Sequence, residues 1–200
     1  TAGATVGHGL SKAPEMIITK SRAGTTGWLV GHNSLPNWTY SLAFTTAASW
    51  SENPIWNSTA PDATKFTLGS DTFGNSSNTR IAYCFHSVEG YSKCSSFVGN
   101  GSADGVFVHT SFAPAFILIK SASQAEPWSL LDNKRPHANS GLQNVLVANT
   151  AAVETQYYVD LLSNGFKIRD TTGVLNANAQ TYIYLAIAKE PFKYGNAKTN

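Results

Sequence analysis

Charge, sulfur and long apolar runs are all scarce in this chain, and each scarcity excludes a class of protein. Charged residues make up 13% of the 200 residues and the formal net charge is +2, so no basic stripe is available to neutralise a nucleic acid backbone. No apolar run approaches the roughly 20 residues that cross a bilayer, and the first residues lack the basic and apolar regions of a signal peptide. We therefore expect neither nucleic acid binding nor membrane insertion.

Residue types that carry catalysis or bind metals are few, and they do not fall at functional spacings. Cys84 and Cys94 are too few for a disulfide framework and show no metal-ligand spacing. No Gly-x-Ser-x-Gly elbow is present. The histidines lie neither four apart on a helix nor beside cysteine; they are His8, His32, His86, His109 and His137. We expect no catalytic residues, no bound metal and no cofactor.

The chain instead repeats a long pattern at an interval of 100 residues. Ala, Pro, Ile, Lys and Ser recur when residues 13–21 are placed over residues 113–121. Trp28 then matches Trp128, and Ile81 matches Ile183 at an interval of 102. A match kept through several segments indicates two copies of one supersecondary plan. No carboxylate recurs in both copies, so a glycosidase-type acid pair has no support from the repeat.

Short β-rich runs separated by Gly, Asn, Pro and Ser predict an all-β chain, because no window keeps an apolar period of helix type. Asn164-Gly165 is typical of a tight hairpin turn. The strands predicted in the first copy are Ala4–His8, Met16–Lys20, Trp28–Val30, Tyr40–Thr45, Lys65–Leu68, Arg80–Phe85 and Lys93–Val98. Those predicted in the second copy are Val106–Thr110, Phe116–Lys120, Trp128–Leu131, Gln143–Ala148, Tyr157–Leu162, Phe166–Arg169 and Tyr182–Ala188.

These strands predict a tandem duplicated β-sandwich of jelly-roll or concanavalin-like type, built from two homologous halves. The predicted halves are residues 1–98 and residues 99–200, either as two domains or merged in one sandwich. The run Val98-Gly99-Asn100-Gly101 introduces the second copy, while no counterpart introduces the first. We therefore expect a further segment to precede Thr1 in the parent protein.

Tryptophans divide into repeated and unrepeated ones, and the difference suggests different roles. Trp28 and Trp128 repeat, so we expect both in the core, where a large ring buries much apolar area. Trp38, Trp50 and Trp56 occur in the first copy alone, and Asn57 follows the last of them in a loop-like segment. These four residues are the candidate glycan-binding residues, since exposed rings stack on sugar faces. The alternative, which the sequence favours, is that the rings pin a long loop onto the sandwich.

Four phrases of the sequence carry a resemblance to a known group of proteins. They are IAYCFHSVEGYSK at residues 81–93, VGNGSADG at 98–105, FAPAFILIK at 112–120 and LSNGFKIR at 162–169. Together with YIYLAIA at residues 182–188, they resemble a repeated β domain of virion and tail-associated proteins of marine bacteriophages, cyanophages among them. Cys94 departs from this pattern, in which an aromatic residue is expected.

The resemblance implies a non-enzymatic structural module on the virion exterior, such as part of a tail fibre, and it supplies no catalytic residues. The implied partners are other virion proteins and further copies of the same chain, with a trimer the usual form of fibres. A host-surface glycan is the implied ligand of an adhesive module. Two alternatives stay open at this stage: a capsid-decorating or tube-forming subunit, and a tail-associated enzyme that degrades polysaccharide.

Overall fold

A computed structural model describes residues 3–23, 25–51, 55–70, 79–135 and 141–190. Strands are the only regular elements in these ranges, and each of the fourteen predicted strands overlaps an observed one, so the all-β prediction is confirmed. The strands are β1 Ala4–Gly7, β2 Met16–Ser21, β3 Leu29–His32, β4 Leu42–Ala43, β5 Lys65–Leu68, β6 Arg80–Phe85, β7 Ser92–Val98, β8 Phe107–His109, β9 Pro114–Ser121, β10 Ser129–Asp132, β11 Leu142–Val147, β12 Thr155–Leu162, β13 Gly165–Ile168 and β14 Thr181–Ala188. Within the described ranges, no helix has the length and apolarity needed to cross a membrane.

The chain divides into two compact units. Unit 1 comprises residues 1–86 and 122–126, and unit 2 comprises residues 87–121 and 127–200. This division differs from the predicted one after residue 98, because β7 belongs to the second unit. Its seven residues all pair with β14, and long-range hydrogen bonding of this kind outweighs the apparent start of the repeat at Gly99.

Unit 2 contains one eight-stranded antiparallel sheet in the order β7-β14-β9-β10-β11-β12-β13-β8. Its two ends approach each other across the core, since the rings of Phe97 on β7 and Phe166 on β13 lie 6.1 Å apart. The sheet therefore curls into a nearly closed, barrel-like sandwich. Its core is filled by alternate residues of the facing strands, among them Ile117, Val145 and Ile168, all buried.

Asn176 is fully buried in unit 2 and fastens two loops together. Its side-chain oxygen accepts from the Asn100 N–H (3.0 Å), and its amide nitrogen lies 2.9 Å from Asn100 Oδ1, the Ser102 carbonyl and the Asp170 carbonyl. Two glycines of the loop at residues 99–105 leave no room for a Cβ: it would lie 2.3 Å from the Ala177 carbonyl oxygen on Gly99 and 2.1 Å from the Ile168 carbonyl oxygen on Gly105. A satisfied buried carboxamide of this kind fixes a loop that lacks regular pairing.

Unit 1 contains a four-stranded sheet in the order β4-β3-β2-β6 and a two-stranded sheet of β1 and β5. Ile17 and Leu29 of the larger sheet and Phe66 and Leu68 of β5 share one core cluster, so the two sheets face each other as layers. Three further members of the cluster come from irregular segments and are Trp38, Ile55 and Trp56. The core of unit 1 therefore depends on loop residues as well as on strands.

Replacing Asn176 should destabilise unit 2. Asn176→Ala leaves the partners of the carboxamide unsatisfied, so we expect a loss of about 2–4 kcal/mol in the free energy of unfolding, measured by urea titration. Asn176→Asp places a carboxylate among three oxygens, which raises its folded-state pKa. The loss in the free energy of unfolding of Asn176→Asp should therefore shrink as the pH falls from neutral to about 4, where the carboxyl protonates.

Asn178→Ala is the matched control, because Asn178 is exposed and lies two residues away in the same loop. Equal stability losses in the two alanine variants would contradict the role assigned to Asn176.

Gly31 on β3 should tolerate no side chain, because the core tryptophans pack against its Cα. A Cβ at this position would lie 2.5 Å from Trp38 Cζ3 and 2.7 Å from Trp56 Cε2. We expect Gly31→Ala to lower the free energy of unfolding by about 1–3 kcal/mol through overpacking, and to shift the tryptophan fluorescence. Gly27→Ala is the control, since nothing lies within 4 Å of its Cβ position. A neutral Gly31→Ala would show that the indole rings can move.

Candidate functional site: an aromatic surface on unit 1

The predicted glycan-binding tryptophans lie in the core of unit 1 or against it. Trp38 and Trp56 are buried, with ring centroids 5.6 Å apart in an edge-to-face arrangement, and Trp56 is only 1% exposed. Trp56 Nε1 donates to Ser41 Oγ (3.1 Å), so its polar atom also has a partner inside the unit. Trp50 is partly buried and packs against the same cluster. These positions agree with the alternative interpretation, in which the rings pin a long loop onto the sandwich.

Asn57, the fourth predicted residue, is exposed at the turn that follows Trp56. Its φ angle is +53° and that of Ser58 is +51°, a conformation that short polar side chains adopt more readily than branched ones. Its carbonyl accepts from Thr59 Oγ1 (2.8 Å). The structure therefore separates Asn57 from the faces of the rings with which the sequence grouped it.

Trp28, which the repeat placed in the core, lies at the surface. It is 37% exposed, whereas Trp128 is 1% exposed. The core prediction is therefore confirmed for Trp128 and wrong for Trp28. Because each tryptophan directly precedes a strand, β3 or β10, the repeated positions gave the sequence no signal of the difference.

Trp28 forms an aromatic surface with Phe44 and Tyr83, and we use this name for the three residues. The Trp28 and Tyr83 rings are stacked, with centroids 6.3 Å apart and an interplanar angle of 29°. Phe44 meets Trp28 edge-on at 6.4 Å. Tyr83 is 44% exposed and Phe44 is partly buried.

The aromatic surface is held in place by the backbone of unit 1. Tyr83 lies on β6, opposite Ile18 of β2, and the Phe44 N–H donates to the Trp28 carbonyl (3.1 Å). Lys20 Nζ donates to the Thr26 carbonyl, which fixes the loop just before Trp28. The backbone segments that carry the rings are therefore fixed by the fold, which lowers the entropic cost of binding a ligand.

Nine of the charged side chains among the described residues form ion pairs. Arg135 donates to Asp132 and, at 2.8 Å, to Glu154, and these hydrogen bonds raise its pKa. Burial raises the pKa of the Asp132 carboxyl, but its hydrogen bonds from Arg135 and from the Lys134 N–H outweigh that effect and lower it below its ordinary value. The other pairs are Asp62–Lys65, Asp104–Lys167 and Asp160–Arg169.

Cys84 and His8 are the candidate nucleophile and metal ligand whose surroundings are described most fully. Burial raises the pKa of the Cys84 thiol to about 11, so it is not a thiolate at neutral pH. His8 Nε2 lies 3.0 Å from the Asp62 carbonyl while its Nδ1 accepts from the Leu10 N–H, so both ring nitrogens have partners within unit 1. His137 lies outside the described residues. Within the ranges described, no three His, Cys, Asp or Glu side chains cluster as metal ligands.

A depression of about 420 Å³ lies on unit 2. Its described lining includes Lys134, Lys189 and Leu162, and it includes no carboxylate, cysteine or histidine. The depression is therefore cationic and apolar, without the acid pair that a glycosidase requires.

Comparison with known proteins gives a family without an assigned activity. No curated protein and no solved structure matches the chain. A family model described as a domain of unknown function, DUF7483, matches residues 1–191. The chain therefore belongs to the DUF7483 family.

Proposed function

We propose that this protein is a non-enzymatic structural module on the exterior of a bacteriophage particle, and that it contacts host-surface glycans through the aromatic surface. The resemblance of the sequence to marine phage tail-associated domains supports the setting. The ordered, exposed pair of Trp28 and Tyr83 is the observation that supports the contact. Sugar rings present C–H faces that pack on such aromatic faces, and the exposed Thr25 and Thr45 lie in the adjoining segments as hydrogen-bonding groups.

Weak binding at one site suits such a module, because a virion presents many copies. Two stacked rings contribute little affinity for a single sugar, and simultaneous engagement of several copies raises the total affinity by orders of magnitude. The proposed partners are therefore further copies of the chain, in a trimer if it forms part of a fibre, and other virion proteins.

Trp28→Ala should weaken glycan binding without unfolding unit 1. We expect the dissociation constant for a host-surface oligosaccharide, identified on a glycan array and measured by calorimetry, to rise about tenfold or more, because the larger of the stacking faces is lost. Tyr158→Ala is the matched control, since Tyr158 is similarly exposed but lies on β12 of unit 2. If the parent protein binds no glycan on the array, the proposed glycan contact is wrong and only the structural role of the module remains as a proposal.

We further propose that the two units descend from one duplicated segment. The supporting observation is that the intervals of the sequence repeat reappear in the strand pairing. Ile18 pairs with Tyr83 in unit 1, and Leu118 pairs with Leu185 in unit 2, at intervals of 100 and 102. The Asn33 N–H donates to the Glu15 carbonyl, and the Asn133 N–H donates to the Ala115 carbonyl.

The common register can be tested by nuclear magnetic resonance in solution. Residues of non-hydrogen-bonded antiparallel pairs bring their Hα atoms close together. We expect Hα–Hα cross-peaks between Ile17 and Cys84 and between Ile117 and Ala186, which are equivalent pairs under the two intervals. Cross-peaks displaced by one or two residues in either unit would contradict a shared plan.

A further inference from the structure

Strand β6 is paired along one edge, and the hydrogen bonds show which residues face that edge. The Thr79 carbonyl accepts from the Arg22 N–H (2.8 Å), and the Phe85 carbonyl accepts from the Glu15 N–H (2.7 Å). Successive residues of a strand point their backbone groups to opposite edges. The odd-numbered residues of β6 therefore face β2.

The even-numbered residues, Ala82 and Cys84 among them, direct their N–H and C=O groups to the far edge. Among the described residues, no strand pairs with that edge, which makes β6 the outer strand of its sheet. Successive side chains of a strand lie on opposite faces of the sheet. Exposure of three consecutive residues, Ile81, Ala82 and Tyr83, therefore means that neither face of β6 is covered here. Exposed outer strands present a row of backbone groups that can accept another strand.

Strand β14 of unit 2 has the same pairing to its neighbour, yet both of its edges are filled. Its far edge carries β7, with the Gly99 N–H donating to the Gln180 carbonyl (2.9 Å) and the Ala188 N–H donating to the Tyr91 carbonyl (2.8 Å). Even-numbered residues of β14 therefore face β7. With the interval of 102, Tyr184 and Ala186 of β14 are the equivalents of Ala82 and Cys84, which face the far edge of β6.

From this correspondence we propose that the far edge of β6 is a strand-acceptor site, which binds an extended segment of the β7 type by antiparallel strand addition. Backbone hydrogen bonds supply the attraction in such a site, and the side chains opposite the acceptor supply the selectivity. The site consists of backbone groups of β6, and although Tyr83 of the aromatic surface lies on the same strand, strand addition does not depend on glycan binding.

The chemistry of the occupant follows from β7. Ser95 stands opposite Tyr184, and Cys94 stands opposite Leu185. The equivalent residues of β6 are Ala82 and Tyr83, so the bound strand carries small side chains at these two places. Val108 on β8 pairs with Phe166, and Val6 on β1 pairs with Phe66, so Val6 is the equivalent of Val108. Val98 on β7 lies ten positions before Val108. A segment that joins unit 1 just before Thr1 reaches the site with the same spacing.

The test is a chain extended by a copy of residues 87–102 placed directly before Thr1, which reproduces that spacing. Amide hydrogen exchange of Ala82 and Cys84 is then measured residue by residue. We expect their exchange to slow by about tenfold or more relative to the unextended chain, because the added strand accepts their N–H groups. The matched control carries Ser95→Pro in the copied strand, where proline removes a donor that points toward the acceptor.

A second variant separates strand addition from loss of the fold. Ala82→Pro removes an N–H that points away from β2, so pairing of β6 with β2 should survive. In the extended chain that carries this substitution, the Cys84 amide should exchange fast again while the amides that face β2 stay protected. Equal exchange in the extended chain and its Ser95→Pro control would overturn the proposal. A second result would also overturn the proposal: slow amide exchange of Ala82 in the unextended chain that becomes fast on dilution. It would mean that β6 pairs with a second copy of the chain instead. The two proposals have different readouts, amide exchange of Ala82 and Cys84 for strand addition and the effect of Trp28→Ala for glycan binding, so each can fail without the other.

Discussion

The constraint on which this structure depends is that a strand in the middle of a sheet must satisfy backbone groups along both of its edges. Strand β14 does so with β7 on one side and β9 on the other, and six of its eight residues take part in both ladders. Its side chains can then be apolar on both faces, and Tyr182 and Ile183 are buried accordingly. The curl of the sheet, which brings Phe97 to Phe166, follows from this arrangement because β7 is held at one end of the sheet.

Reactivity and surface recognition are distributed differently over the molecule. Five of the ten carboxylates among the described residues pair with arginine or lysine, and the Cys84 thiol is protonated, so these groups act in the fold. Aromatic rings occur both in the core of unit 1 and on its surface. Trp56 is packed around Gly31 inside unit 1, while Trp28 and Tyr83 lie on its surface in a fixed arrangement. A preformed apolar surface with hydroxyl groups nearby suits recognition better than bond cleavage.

Strand positions could be predicted from this sequence, while the placement of its rings could not. Alternating apolar runs such as Lys65–Leu68 and Arg80–Phe85 gave strands with the observed bounds, because the two-residue period is a local property. Assignment of β7 to unit 2 depended on pairing with residues more than 80 positions away, and no local pattern carries it. Trp28 and Trp128 have equivalent neighbours in sequence, yet one is exposed and the other buried, since burial depends on what covers a strand.

The position of β14 late in the chain has a consequence for biosynthesis. Strands β7 and β9 leave the ribosome well before their common neighbour, and until it arrives they have open backbone edges and apolar faces. Distant pairings of this kind make folding slow and favour association between nascent chains. The carboxamide of Asn176 joins the loop after β7 to the loop before β14, so it can fasten the two only when β14 itself is about to be added.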